Sequence, residues 1–286
     1  MRLETGRARL LVDLEQGGRI ASLVIDGHEV LVTSGFWSFG WGSFPMAPFA
    51  GRLRMARLQF GDRTYQLPAN EPPHALHGYV AERPWHEVEG EPATISCELD
   101  PPWPFRGRLR QRFDLADDRL HVAMELEADE PQPAVIGWHP WFRRRLADDD
   151  PAGGELEIDV RPGAMYRLDA DGIPTGELVE PAPRPWDDCF VGLARPPVVR
   201  WPGALRLTVE STADHWVVYD HQVEGICIEP QTGPPDGPNL APRVVVPGDP
   251  LRIEMTWRWA PDDADDASAD VAGGEAAPDA GTARRR

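Results

Sequence analysis

The stretch LRIEMTWRWA, residues 251–260, alternates large apolar with polar side chains at every step. Leu251, Ile253, Met255, Trp257 and Trp259 share one parity, and Arg252, Glu254, Thr256 and Arg258 share the other. Successive side chains of an extended segment point to opposite faces, so this pattern reads as a strand with one face buried and one wetted. The same alternation recurs at Leu120, Val122, Met124 and Leu126, at Leu156, Ile158 and Val160, and at Leu205, Leu207 and Val209. Turn pairs punctuate the chain: Gly17-Gly18, Asp26-Gly27, Gly61-Asp62, Asp117-Asp118 and Asp171-Gly172. Residues 8–14, 20–25 and 29–32 read as a meander. Arg57–Phe60 and residues 64–67 read as a hairpin. No amphipathic helix of three turns is evident. With 27 Gly and 31 Pro in 286 residues, about one residue in five suits turns. These patterns predict an all-β protein, a large antiparallel β-sandwich spanning residues 1–260.

Lys and Arg together number 29 against 47 Asp and Glu, for a net charge of −18. Such a field opposes binding to nucleic acid or an anionic membrane. The chain contains no lysine. That excludes a lysine Schiff base, a pyridoxal-phosphate lysine and a P-loop lysine. Cys97, Cys189 and Cys227 are few, odd in number and far apart, which argues against a disulfide framework or a structural zinc site. The first residues, MRLETGRARLLVDLEQ, lack the apolar core of a signal peptide, and no apolar run approaches a membrane span. A cytoplasmic protein is expected. Residues 261–286 carry seven acids, three terminal arginines and almost no large apolar side chain. They are expected to form a disordered tail.

No GxSxG, GxGxxG or HExxH motif is present. Four turn-rich stretches hold the candidate chemistry. The first, residues 48–80, is PFAGRLRMARLQFGDRTYQLPANEPPHALHGYV. It contains Arg52 after Gly51 and an HxxH pair, His74 and His77. As a metal site that pair needs a third ligand, and it sits on irregular chain, not on a helix. The second is Trp138-His139-Pro140-Trp141-Phe142, where Pro140 holds His139 extended. The third is Asp187-Asp188-Cys189-Phe190, a carboxylate pair opening an apolar strand. The fourth is Ile226-Cys227-Ile228-Glu229-Pro230-Gln231. Here Glu229 ends an apolar strand, so its carboxylate needs partners or carries a raised pKa.

In order and content these stretches resemble the aldose 1-epimerase (galactose mutarotase) family across residues 1–260. The matching elements are Gly51-Arg52, the Gly61 to Leu67 G-x-x-x-Y-x-L segment with Asn70, Leu76-His77-Gly78, and His139-Pro140-Trp141-Phe142. They continue with Asp187 three residues before Phe190, and with Glu229-Pro230-Gln231 followed by Asp236 and Asn239. The resemblance implies a galactose mutarotase-like β-sandwich with a sugar in a cleft. It further implies that Glu229 takes the proton from the anomeric hydroxyl, that His139 protonates the ring oxygen and that His77 assists there. Arg52 and Asp187 would hold sugar hydroxyls, with Gln231 in support.

Opening a hemiacetal moves one proton off the anomeric oxygen and one onto the ring oxygen. An acid and a base suffice, so no cofactor and no metal are expected. At ordinary pKa values of ~6.5 for His and ~4.3 for Glu, the two would sit in opposite protonation states near neutrality. Three departures alter the expected walls. Gly51 stands where the family has Asn, Tyr79 where it often has a second Gly, and Arg143-Arg144 where it has Asn-Leu. Tyr79 is expected to offer a stacking face, Arg143 and Arg144 to be an exposed loop pair with no ligand rather than a site for an anionic group on the sugar, and the specificity to be broad. The partner is expected to be a small-molecule sugar, and the protein a monomer or weak homodimer. The competing expectation is a non-catalytic carbohydrate-binding or regulatory member of the same fold.

Overall fold

The computed structural model describes residues 1–35, 37–146 and 154–262. Among the described residues, one antiparallel sheet has eleven strands and a second has eight. The opening stretch is the spine of the smaller sheet. Leu251–Pro261 lies between Arg119–Ala128 and Leu205–Ser211. Its register sets Trp257 opposite both Leu120 and Val209, and Ile253 opposite Met124. All the apolar residues of these three alternations are buried. They face the inner side chains of the larger sheet, including Leu23, Trp138, Phe142, Ile226 and Ile228, in one continuous core. Phe142 meets Trp257 across the layers at 5.1 Å. Each such buried side chain contributes ~1.5–3 kcal/mol relative to exposure. The all-β sandwich expected from sequence is therefore what forms.

Two polar side chains cross the core with their hydrogen bonds satisfied. Trp138 donates its indole N–H to Gln111 at 2.8 Å, and Gln111 donates in turn to the carbonyl of Gly18 at 3.1 Å. The first hairpins fall close to their expected places, at Ala8–Asp13 with Arg19–Ile25, and Arg57–Phe60 with Arg63–Gln66. Of residues 29–32 only Glu29 is in a strand, His28–Glu29, and Leu31 makes a single bridge to Phe142. The only α-helix among the described residues is Gly237–Leu240, and no helix there is long and apolar enough to cross a membrane.

The end of the sandwich differs from expectation. Pro261, placed in the tail by composition, closes the last strand opposite Leu205. Asp262 is buried, accepting hydrogen bonds from Arg200 Nε at 2.6 Å and the Gly203 N–H at 2.8 Å. A single acid with two donors is held where an acid-rich composition suggested solvent. Residues 263–286 of the expected tail lie outside the described residues.

Candidate active site

The cleft lies on the outer face of the larger sheet, and strand parity decides what lines it. In Gly225–Gln231, Ile226 and Ile228 enter the core, so Cys227, Glu229 and Gln231 face the other way. In Gly137–Arg143, Trp138 and Phe142 enter the core, so His139 and Trp141 face the cleft. The two strands are adjacent, with Gly137 opposite Gln231 and Trp141 opposite Cys227. That register brings His139 beside Glu229, and His139 Nε2 lies 3.2 Å from Glu229 Oε1. The ladder continues sideways. Glu229 is opposite Val217, Cys227 is opposite Tyr219, and Tyr219 is opposite Asp187. Asp187 thus reaches the cleft from the second strand beyond Glu229.

Arg52 and His77 come from the irregular stretch. Arg52 pairs with Leu76 in a two-residue ladder. The next residue, His77, donates its backbone N–H to the Gly51 carbonyl at 3.0 Å, and its Nδ1 accepts the Gly51 N–H at 3.3 Å. An accepting Nδ1 leaves the proton on Nε2, so His77 presents a neutral N–H donor. Gly51 has φ +65°, and a Cβ there would lie 2.6 Å from Pro235 Cβ. A side chain at this position would meet Pro235, so the backbone here suits Gly.

These residues surround a cavity of about 260 Å³ lined by Arg52, His77, His139, Asp187, Glu229 and Gln231, among others. All six residues singled out from sequence are therefore brought together. The His139 ring is sandwiched between Phe44, 4.8 Å away at 22°, and Trp141, 5.4 Å away at 15°. His77 stands perpendicular to it at 4.9 Å. Gln231 donates to Glu229 Oε2 at 3.2 Å. Two buried atoms of cavity-lining residues, Gln231 Oε1 and His139 Nδ1, have no hydrogen-bond partner. Buried unsatisfied polar atoms cost ~1–3 kcal/mol each and concentrate at functional sites.

Burial inverts the protonation pattern expected from ordinary pKa values. It pushes the Glu229 carboxyl well above its usual range, the Asp187 carboxylate pushes the same way, and the Gln231 hydrogen bond opposes them. It drives His139 down to about 3, with a smaller contribution from the Arg19 cation. His77 is held well below its ordinary value by burial, then by His139 and Arg52. Away from water each group favours its neutral form. The pair then holds one proton on Glu229, facing an imidazole that can accept it.

Other sequence candidates are structural. His74 Nδ1 accepts the Met55 N–H at 3.0 Å, so the HxxH pair spends both Nδ1 atoms on backbone. Asn70 closes its own loop through both Leu76 backbone groups. Among the described residues, the one group with three metal-ligating atoms within 4.8 Å is His139, Cys227 and Glu229, which is the floor of the same cleft. Tyr79 does not line the cavity. Its hydroxyl donates to the Pro68 carbonyl and its ring packs edge-on against Phe49. The aromatic faces of the cleft are instead Trp37, Trp141 and Tyr219. Trp141 could have been found by counting two residues along from His139. Arg144 is committed to protein partners. It donates to the carbonyls of Gln222 and Asp220 at 2.6 Å each, and to Glu155 at 3.2 Å.

Comparison with known proteins agrees with this architecture. The fold is similar to that of a galactose mutarotase-like protein from Clostridium acetobutylicum, with a TM-score of 0.77, 16% identity, and coverage of 91% of this chain and 94% of that one. It is also similar to galactose 1-epimerase from Lactobacillus acidophilus, with a TM-score of 0.74, 20% identity, and coverage of 92% and 94%. In sequence the chain is 28% identical over 149 residues to the uncharacterized protein YphB of Escherichia coli, a match that covers 50% of this chain and only 48% of that relative. The family model described as aldose 1-epimerase matches residues 1–257, and the chain belongs to that family.

Proposed function

We propose that the protein is an aldose 1-epimerase, interconverting the α and β anomers of a hexose or related aldose by ring opening and reclosure. The buried His139–Glu229 pair, 3.2 Å apart on the cleft floor, carries this reading. The reaction needs a base at the anomeric hydroxyl and an acid at the ring oxygen, two atoms joined to one carbon. Glu229 takes the first proton and His139 delivers the second. The open-chain aldehyde then turns its other face and recloses as the protons return.

The shared proton makes this economical. A neutral carboxyl beside a neutral imidazole and a carboxylate beside an imidazolium contain the same number of protons. Moving one proton along the pair produces the working base and the working acid with no exchange with solvent. Arg52 faces the cleft as a cation and holds hydroxyls, and Asp187 accepts from them. His77 donates from Nε2 toward the ring oxygen, where negative charge develops. Gln231 fixes the orientation of the Glu229 carboxyl and keeps one amide oxygen for substrate. None of these steps calls for a cofactor.

NMR of anomer interconversion across a panel of aldoses tests the reading. Wild type is expected to accelerate exchange, and Glu229→Gln to lose most of that acceleration while remaining folded. Absence of acceleration for every aldose, or wild-type turnover by the variant, overturns it.

A further inference from the structure

Trp37 is the exposed aromatic at the cleft mouth, with 42% of its surface accessible. It and Trp141 line the catalytic cavity and also a second cavity of about 520 Å³, whose other walls include Ser34, Gln222 and Glu224. The two cavities thus share a pair of indoles as a common wall. A third groove, sharing Ser34, Gln222 and Glu224, extends the path further along the sheet.

The platform is built, not loose. A Cβ at Gly40 would lie 2.6 Å from the Trp37 indole nitrogen, so glycine lets the ring lie against the backbone. The Gly40 N–H bonds back to the Trp37 carbonyl at 3.2 Å. Phe39 braces the indole edge-on at 5.5 Å. Fully buried Arg19 holds the flanking carbonyls of Ser38 at 2.7 Å and Trp41 at 3.2 Å, and its guanidinium lies over the Trp41 ring at 4.3 Å. A rigid aromatic face loses little conformational entropy on binding.

We propose that Trp37 and the cavity beyond it form a second sugar subsite, so that the preferred substrate is the reducing end of a neutral disaccharide or longer saccharide. This rests on the epimerase reading of the first cavity. A pyranose has C–H faces that stack on an indole and hydroxyls at its rim that pair with planar polar side chains. The second cavity offers that combination, with Trp37 and Trp141 on one side and the Gln222 amide and Glu224 carboxylate on the other. A carboxylate wall selects against phosphate or carboxylate substituents. The second cavity itself has Glu224 as its charged lining residue; the arginines Arg143, Arg144 and Arg145 border the adjoining groove, where Arg144 donates to Gln222, Asp220 and Glu155 and Arg145 lies 3.9 Å from Glu155. The neutral saccharide is therefore the ligand class that fits.

Titration calorimetry of glucose, maltose and cellobiose against the full-length protein tests this independently of turnover, and NMR exchange on the same samples scores catalysis separately. At least one disaccharide is expected to bind about tenfold or more tighter than glucose. Trp37→Ala should erase that advantage. Glu224→Ala should lower disaccharide affinity about threefold or more and leave glucose affinity and glucose exchange unchanged. Equal affinities for glucose and both disaccharides, or an advantage that survives in Trp37→Ala, overturns the second subsite. If the disaccharide advantage is present and no sugar is interconverted, the subsite stands and the epimerase reading fails. If glucose is interconverted and no disaccharide advantage appears, the reverse holds.

Discussion

His139 Nε2 and Glu229 Oε1 face each other at 3.2 Å because Gly137 and Trp141 pair in register with Gln231 and Cys227 on the neighbouring strand. The contact follows from sheet geometry alone, since both residues sit at cleft-facing positions of one ladder. Acid and base are consequently a unit. Glu229→Gln and His139→Asn are each expected to lower kcat by roughly 10²–10⁴-fold. The double variant is expected to be little worse than the poorer single one, because removing either member disables the shared proton. Single-turnover NMR exchange rates for the three variants check this. Multiplicative losses would show that the two groups act separately.

The shifted protonation of the pair should be visible in stability as well as rate. Burial holds His139 down to about 3 against an ordinary 6.5, so between those values the unfolded chain binds more protons than the native one. This component of stability is fully present above 6.5 and is lost as pH falls. His77, held low by burial, contributes with the same sign. Glu229 is shifted upward from 4.5, so its component is present at low pH and is lost as pH rises. In wild type the slopes oppose. Glu229→Gln removes the second, and its Tm should climb more steeply from pH 4.5 to 6.5 than that of wild type. His139→Asn should flatten the same profile. Melting curves across that range decide, and parallel profiles for all three proteins would contradict the buried neutral pair.

Gly51 occupies left-handed backbone with φ +65° and has Pro235 in the space where a side chain would go. Gly51→Asn is expected to destabilise by about 1–3 kcal/mol. At roughly 2–4 °C per kcal/mol for chains of this size, a clear fall in Tm follows. Activity should fall too, since the Gly51 N–H sets the His77 tautomer. A double variant that also replaces Pro235 with Gly should recover part of the loss. Unchanged Tm in Gly51→Asn would mean that the loop moves aside freely.

Asp262 ties the end of the last strand to Arg200 and Gly203. Asp262→Ala should cost about 1–3 kcal/mol, because a buried N–H loses its acceptor. A chain ending at Asp262 should keep the wild-type Tm, whereas one ending at Ala260 should not. Thermal denaturation of the three proteins separates these outcomes.

The fold was legible wherever a strand has one covered face, as in the alternations through Val122, Ile253 and Leu207. It was least legible at the cleft. Gly225–Gln231 is buried at every position, so no alternation of wetted and covered residues marks it, and only Glu229 and Gln231 betrayed the outer face. The residue identities of the site were readable from ordered short motifs. Their protonation was not, because burial is a property of the assembled walls. Trp37 and Arg19 were also invisible. Their roles depend on a loop whose path is set by the contacts of Arg19 with Ser38 and Trp41, and no periodicity marks such a path. Tyr79 shows the opposite error, where an aromatic next to a site histidine turns away to Phe49 and Pro68.

The parity of the cleft strands has an evolutionary consequence. In Asp187–Val191, His215–Tyr219, Gly225–Gln231 and Gly137–Arg143, the residues at the cleft are odd-numbered apart from Asp188, and the even neighbours Phe190, Val218, Ile226, Ile228, Trp138 and Phe142 belong to hydrophobic clusters. Substitutions at odd positions can therefore retune specificity without touching the core between the two sheets, although Trp141 and Cys227 belong to a smaller buried cluster of their own. A one-residue insertion or deletion within such a strand does the reverse, sending Glu229 inward and Ile228 into the cleft in a single step. Descendants of this protein should accordingly vary odd positions other than His139, Asp187, Glu229 and Gln231 while keeping the spacing from Gly225 to Gln231 fixed, with length changes confined to the loops that join the strands.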